Sequence, residues 1–235
     1  MYKKLVPFNS RTHAKKRLKP VNSFHFAKSN HIASLMVNEL SRASSIYPVV
    51  FLKEGEKYGL FALLGLKPGE NLFVGDKGQW EAGYIPAVIR RYPFMLGKTE
   101  NSESFMVGLD EESEFLSDTE GQPLVEKDGK PSQVVENVKQ YLSEIHRFSE
   151  ITTRFCQDLA DRDLLAPLNL QIKSANDGPS LNIAGCHGIH EKKFNELPDT
   201  EFLELRKKGL LPLIYAHLLS LAQLDRLIRL RGGIE

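Results

Sequence analysis

Cysteine is scarce in this 235-residue sequence, which has only Cys156 and Cys186. Two cysteines cannot staple a secreted scaffold, and they read as reduced thiols of a cytosolic protein. Excess charge of one sign is also missing. The 31 Lys and Arg nearly cancel the 30 Asp and Glu, so no bulk positive charge points to nucleic acid. Long apolar runs are absent as well. The most apolar stretch, Leu210 to Leu224, covers 15 residues, contains His217 and Gln223, and runs into Asp225 and Arg226. A membrane-spanning helix needs about 20 apolar residues, so this segment is expected to be a buried helix and the protein not to be integral to a membrane. No secretory signal is expected either. Lys3, Lys4, Arg11, Lys15, Lys16, Arg17 and Lys19 lead into Val21-Asn-Ser-Phe-His-Phe, where a signal would place an unbroken apolar segment. The expected compartment is the cytoplasm.

Familiar catalytic apparatus is missing too. Gly75-Asp-Lys-Gly lacks the spacing of a phosphate loop, and no Gly-x-Gly-x-x-Gly fingerprint occurs. There is no Gly-x-Ser-x-Gly nucleophile elbow, no His-Glu-x-x-His and no Cys-x-x-Cys pair. No internal repeat or low-complexity linker forces a domain boundary.

What is present is ordinary globular composition, 41% hydrophobic and 26% charged, enough apolar residues for a real core. Residues 1–28 read as a basic N-terminal arm, with residues 29–235 as one domain. The arm is either a solvated tail or an electrostatic contact with a partner. An acidic counterpart lies within the chain itself. Between Thr99 and Glu126 there is no Lys or Arg but there are nine acids, among them Glu111 and Asp118. Self-pairing of the two segments would leave the surface nearly neutral.

Ser29-Asn30 can cap a short helix running to about Ala43. The pattern then becomes short β-type runs between turn residues. Tyr47 to Leu52, Tyr58 to Leu66, Asn71 to Val74, Tyr84 to Leu96, Ser104 to Leu109 and Pro123 to Glu126 all read as extended. Val134, Val138, Tyr141, Ile145, Phe148, Thr152, Phe155 and Leu159 then alternate four- and three-residue spacings. They mark one face of a long helix over residues 132–162, expected to pack on the sheet rather than in a coiled coil. Leu168 to Ile172 and Leu181 to Cys186 read as strands joined across Asn176-Asp-Gly-Pro, a strong turn signal. A helix from Pro198 to a glycine cap at Gly209 and a last helix through Ile228 follow. Strands first and helices later predict an α+β fold, mainly antiparallel sheet in the first half, packed by the long helix and the C-terminal helices.

Two clusters carry candidate chemistry. Arg90 and Arg91 sit in an apolar run beside Tyr84, Tyr92 and Phe94, with Trp80 just upstream. A guanidinium fork suits a carboxylate or phosphate, so Trp80, Tyr84, Arg90, Arg91 and Tyr92 are the candidate binding residues. On a strand, adjacent side chains point to opposite faces, so only one arginine would face a given pocket. The competing reading is an intrachain salt bridge among core aromatics. Cys186-His-Gly-Ile-His-Glu is the densest ligand-capable run. His187 and His190 supply too few groups for a zinc or iron site alone, and the segment is expected to be a polar loop.

The blocks Tyr47-Pro-Val-Val-Phe, Gly83-Tyr-Ile-Pro-Ala-Val-Ile-Arg-Arg-Tyr-Pro-Phe and Leu197-Pro-Asp-Thr-Glu-Phe-Leu-Glu-Leu-Arg-Lys-Lys-Gly-Leu-Leu-Pro-Leu-Ile-Tyr-Ala-His-Leu-Leu-Ser-Leu resemble, in order and wording, the bacterial SapC family. The sequence departs from that pattern at Ile189-His190-Glu191, where an Asp-Glu pair is expected. The resemblance implies a soluble accessory protein in surface-protein handling or protein modification. It brings no catalytic residues with it. The resulting expectation is a protein- or peptide-binding accessory protein without a cofactor and without a nucleic-acid partner. Two alternatives stay open: a metal-dependent protein-modifying enzyme or its subunit, and a surface-layer structural component.

Overall fold

A computed structural model describes residues 1–98, 105–168, 170–172 and 181–232 of the protein. In chain order the elements begin with β1 (Leu5–Pro7), β2 (Arg17–Leu18), β3 (Ile32–Ser34), α1 (Leu40–Ala43), β4 (Val49–Glu54), β5 (Lys57–Leu63), α2 (Ala87–Arg90), β6 (Phe94–Lys98) and β7 (Phe105–Asp110). After β8 (Leu116–Ser117) and β9 (Gln122–Pro123) comes the long α3 (Gln133–Asp161). Then follow β10 (Leu165–Pro167), β11 (Leu170–Ile172), β12 (Leu181–Ile183), β13 (Cys186–Ile189), α4 (Glu191–Asn195), α5 (Asp199–Lys207), α6 (Leu211–Ser220) and α7 (Gln223–Leu230).

The fold is α+β with antiparallel sheets. The largest has the order β10-β13-β4-β5-β3. Its centre is the β4–β5 hairpin, closed by the two residues Gly55 and Glu56. Gly55 takes φ +62, a conformation that glycine adopts at no steric cost. A second sheet, β1-β7-β6, draws the first strand of the chain onto β7. A third small sheet centres β2 between β8 and β9.

The α3 helix ties these layers together. Its 29 residues make a rod about 43 Å long at 1.5 Å per residue. Its C-terminal half sets Phe155, Cys156 and Leu159 into the main core with Val49, Phe51 and Leu60 of the large sheet. Its N-terminal half sets Val135 and Leu142 against Phe94, Val107 and Leu109 of the second sheet. Full burial of each large apolar side chain is worth about 1.5–3 kcal/mol, which explains why the long apolar stripe outweighs local preferences. Between the two cores Ile145 meets Met36 and Ala87, flanked by Tyr141 and Phe148. This joint is where the candidate site lies.

Several expectations need correction. Residues 29–43 do not form one helix: Ile32–Ser34 pair with β5, and helix begins only after Met36. The free edge of β5 wins over the local helical spacing. Asn71 to Val74 is not a strand; only Val74 bridges to Trp80. Tyr84 to Leu96 is not continuously extended. Pro86, with φ −54, starts the single helical turn α2, and β6 begins only at Phe94. The segment around His187 is a strand rather than a loop, paired with both β10 and β4. The last helix is two, α6 and α7. Gly209 takes φ +70 after α5, the left-handed C-terminal position expected of it. The turn expected at Asn176 to Pro179 lies outside the described residues.

The basic N-terminal segment is woven into two sheets and is not a solvated tail. Lys4 pairs with Glu111 and Lys16 with Asp118, both at 2.9 Å. These are the two oppositely charged segments of the sequence, brought together by β1 and β2.

Candidate functional site

Glu39 ends a short helical turn at Val37–Glu39 and is buried, only 3% exposed. Its Oε2 accepts the Met36 N–H at 2.9 Å, and its Oε1 accepts the Ala87 N–H at 2.8 Å and the Tyr84 hydroxyl at 2.7 Å. The carboxylate therefore fastens α2 to the turn before α1. A carboxylate taken out of water survives only when paired or fully hydrogen-bonded, and here three donors meet it. Burial first, then the bond to Glu39, pushes the Tyr84 hydroxyl well above the usual tyrosine range. Tyr84 thus stays a protonated donor.

Behind this pair lies a second polar contact. The Tyr84 carbonyl accepts both the Tyr47 hydroxyl and, at 3.0 Å, the Trp80 indole N–H. Trp80 also donates to the Tyr47 oxygen at 2.9 Å and stacks on Phe73. Trp80 thus positions the backbone of Tyr84 from below.

Arg90, at the last position of α2, lies in front. Its Nε donates to the Ile85 carbonyl at 2.9 Å. Its guanidinium carbon stands 5.6 Å from the Tyr84 ring centre and 5.5 Å from that of Tyr141. Two aromatic faces at this distance hold a cation electrostatically. Among the described residues no carboxylate forms an ion pair with Arg90 or with Arg91. Arg90, Tyr84, Tyr141 and Arg42 line one concavity of about 420 Å³ whose floor includes Met36 and Glu39.

The five expected site residues divide accordingly. Tyr84 and Arg90 share the concavity, and Trp80 supports Tyr84 from the interior. Arg91 and Tyr92 lie elsewhere. Tyr92 is 4% exposed, stacks on Phe26 with ring centres 4.0 Å apart, and donates to Asp110 at 3.0 Å. Arg91 has a buried Nε without a hydrogen-bond partner among the described residues and lies beside the Tyr2 hydroxyl, whose pKa burial raises and Arg91 holds back. The two arginines diverge, as expected, although they leave the end of a helical turn rather than a strand.

Sequence reading missed Glu39, Arg42 and Tyr141. Tyr141 was legible only as part of the apolar stripe of α3. Glu39 carried one signal, an acid three residues after the start of a turn.

His187 packs its ring edge-on to Tyr58 at 5.1 Å, with a buried Nδ1 that has no partner among the described residues. The His190 Nδ1 accepts the Lys193 N–H at 3.3 Å as the cap of α4. No cluster of three or more His, Cys, Asp or Glu among the described residues is placed to hold a metal ion. Nor is any described helix long and apolar enough to cross a membrane.

These features define an α+β protein in which, between the cores of its two larger packed sheets, a guanidinium is held between tyrosines over a buried carboxylate. A model of the SapC family matches residues 8–227, and the chain belongs to that family. No curated protein and no solved structure matches it.

Proposed function

We propose that this SapC-family protein is a cytoplasmic, non-enzymatic accessory protein that binds a protein or peptide partner, taking a carboxylate of that partner at Arg90. The role in surface-protein handling or protein modification implied by the resemblance belongs to the same proposal. One observation carries it: the Arg90 guanidinium sits at the rim of a concavity over two tyrosine rings, without a carboxylate partner among the described residues. A planar fork held this way loses little further freedom when it meets a carboxylate, and its two-pronged geometry selects that group. Tyr84 and Tyr141 supply the walls. Glu39 and Trp80 hold Tyr84 in place from beneath.

The test is recovery of a partner from the native cell by the wild-type chain, repeated with Arg90→Ala and Arg91→Ala. Arg90→Ala is expected to lose the partner and Arg91→Ala to keep it. Undiminished recovery by Arg90→Ala removes this surface from the account.

A further inference from the structure

Every side chain that α6 shows to solvent is apolar. The helix carries no Lys, Arg, Asp or Glu. Ile214, His217 and Ser220 face the interior and are buried, as packing on the large sheet requires. The opposite face has no cover among the described residues. Pro212, Tyr215 and Leu219 are exposed there, Leu219 at 73% and Tyr215 at 47%. Leu221 and Ala222 keep right-handed helical angles, so the helical path carries this face on to the exposed Ala222. A surface helix ordinarily puts polar residues on its outer side. A contiguous exposed apolar face marks an interaction site.

The spacing says what kind of surface fits. Pro212, Tyr215, Leu219 and Ala222 alternate three- and four-residue steps, the narrow seam of a helix packed lengthwise on another helix. The seam also has the same order from either end. In antiparallel pairing about a two-fold axis near His217, Tyr215 of one copy meets Leu219 of the other, and Pro212 meets Ala222. Each pairing then occurs twice, as an isologous contact demands. The charges at the two ends are opposite. Lys207 closes α5 at the N-terminal end of α6, and Asp225 lies in the first turn of α7 at its C-terminal end. Both are exposed, and neither has an ion-pair partner among the described residues. The same two-fold sets each Lys207 against an Asp225. Arg226, next to Asp225, turns instead to the Phe73 ring at 5.8 Å, and Arg229 lies a turn further on.

We infer that a second copy of this chain covers the outer face of α6, the two helices packing antiparallel about a two-fold axis. A lipid surface would call for a basic rim, whereas the ends of this seam carry opposite charges. The contact is short. From Pro212 to Ala222 it runs about 15 Å at 1.5 Å per residue, which suits a reversible dimer. The lining of the Arg90 concavity takes no part in it, so the inference stands apart from the reading of that site.

Sedimentation velocity of the full chain, from low to high micromolar concentration, tests this. The wild type is expected to pass from monomer to dimer, and Arg90→Ala to behave the same way. Leu219→Glu is expected to weaken self-association about a hundredfold, because it carries a charge into an apolar contact. Its melting temperature should not change, since Leu219 is exposed. Lys207→Glu and Asp225→Lys are each expected to weaken the dimer about tenfold by setting like charges opposite one another. The double exchange is expected to restore it. A chain that stays monomeric throughout overturns the proposal, and so does a dimer indifferent to Leu219→Glu. A dimer that Leu219→Glu dissolves but the double exchange does not restore overturns the antiparallel pairing. A monomer that floats with phosphatidylglycerol vesicles, and no longer does so as Leu219→Glu, gives the face to lipid and overturns the second copy.

Discussion

Two buried carboxylates in this protein are built almost alike. Glu39 accepts the N–H groups of Met36 and Ala87 and the hydroxyl of Tyr84. Asp110, fully buried, accepts the N–H groups of Lys3 and Lys4 and the hydroxyl of Tyr92. Each takes two backbone donors and one tyrosine. What differs is the other side of the tyrosine. Tyr92 stacks on Phe26 in the interior, so the Asp110 arrangement is sealed and holds the start of the chain on β7. Tyr84 turns its ring to Arg90 and an open concavity. The same arrangement closes the fold in one place and supports an exposed cation in the other. A buried polar cluster is thus not a functional site by itself; the outward-facing partner decides.

The largest effects come from removing either carboxylate. Each of Asp110→Ala and Glu39→Ala strands three donors, and an unsatisfied buried group costs about 1–3 kcal/mol. Each is expected to lose about 3 kcal/mol or more in urea unfolding. The comparison is sharpened by what else changes. Asp110→Ala is expected to expose Lys3 and Lys4 to limited trypsin cleavage while the rest stays folded. Glu39→Ala is expected to loosen α2 and lose peptide binding. Equal loss of peptide binding in a folded Asp110→Ala protein breaks the distinction.

Acid gives the next largest effect and separates the interior groups by pH. His217 is fully buried against Phe51, neither ring nitrogen has a partner among the described residues, and burial pushes its pKa down to about 4. The unfolded chain, with an ordinary histidine near 6.5, binds the proton first. Stability is therefore complete above that value and falls as the pH drops toward 4, by about 3 kcal/mol for a shift of this size. Asp110 answers later. Burial alone would raise its carboxyl, but the Lys4 and Lys3 N–H groups and the Tyr92 hydroxyl outweigh it and hold the pKa below the usual aspartate value. Its contribution is present above the unfolded pKa near 3.8 and is lost only as pH falls through the lower folded value. Urea midpoints measured between pH 7 and pH 3 are expected to decline in these two stages. His217→Leu is expected to flatten the first stage and leave the second. A first stage that persists in that variant refutes the assignment.

The same contrast shows what the sequence could tell. The long helix was legible because a 29-residue stripe sums many apolar contacts in one direction. The α+β fold class and the two strands that became β4 and β5 were legible as apolar runs between turn residues, but their pairing as a hairpin was not read. The candidate site was only half legible. Tyr84 and Arg90 stood out as an arginine among rings. That only one arginine would face a pocket was also legible, but the local backbone was not, because Pro86 converts an apolar run into a helical turn. Glu39 was hidden for a different reason: its donors come from Met36, Tyr84 and Ala87, and long-range donors leave no periodic trace. Ile32–Ser34 misled because short segments are decided by the neighbour they pair with, not by their own spacing.

Arg90→Ala, in contrast to the carboxylate variants, is expected to cost only about 1 kcal/mol, the scale of its partly exposed cation–π contacts, while peptide affinity falls at least a hundredfold. Isothermal titration and urea unfolding of one sample read both quantities. Parallel losses in the two would mean that Arg90 is a structural brace on α2 rather than a contact.

The smallest effect should come from the exposed ion pairs that join the basic and acidic segments. Lys4 and Lys16 meet Glu111 and Asp118 at 2.9 Å, but each pair remains partly in water. Solvent and salt screen such pairs, so each contributes little. The β1–β7 ladder and the N–H bonds to Asp110 hold the same segment without relying on the lysine side chains. Lys4→Met and Lys16→Met together are therefore expected to shift the urea midpoint only slightly. Raising the salt should erase even that difference. A loss as large as that of Asp110→Ala would mean that side-chain charge, not buried main-chain bonding, fastens the N-terminal segment, and the likeness between the two carboxylates would lose its meaning.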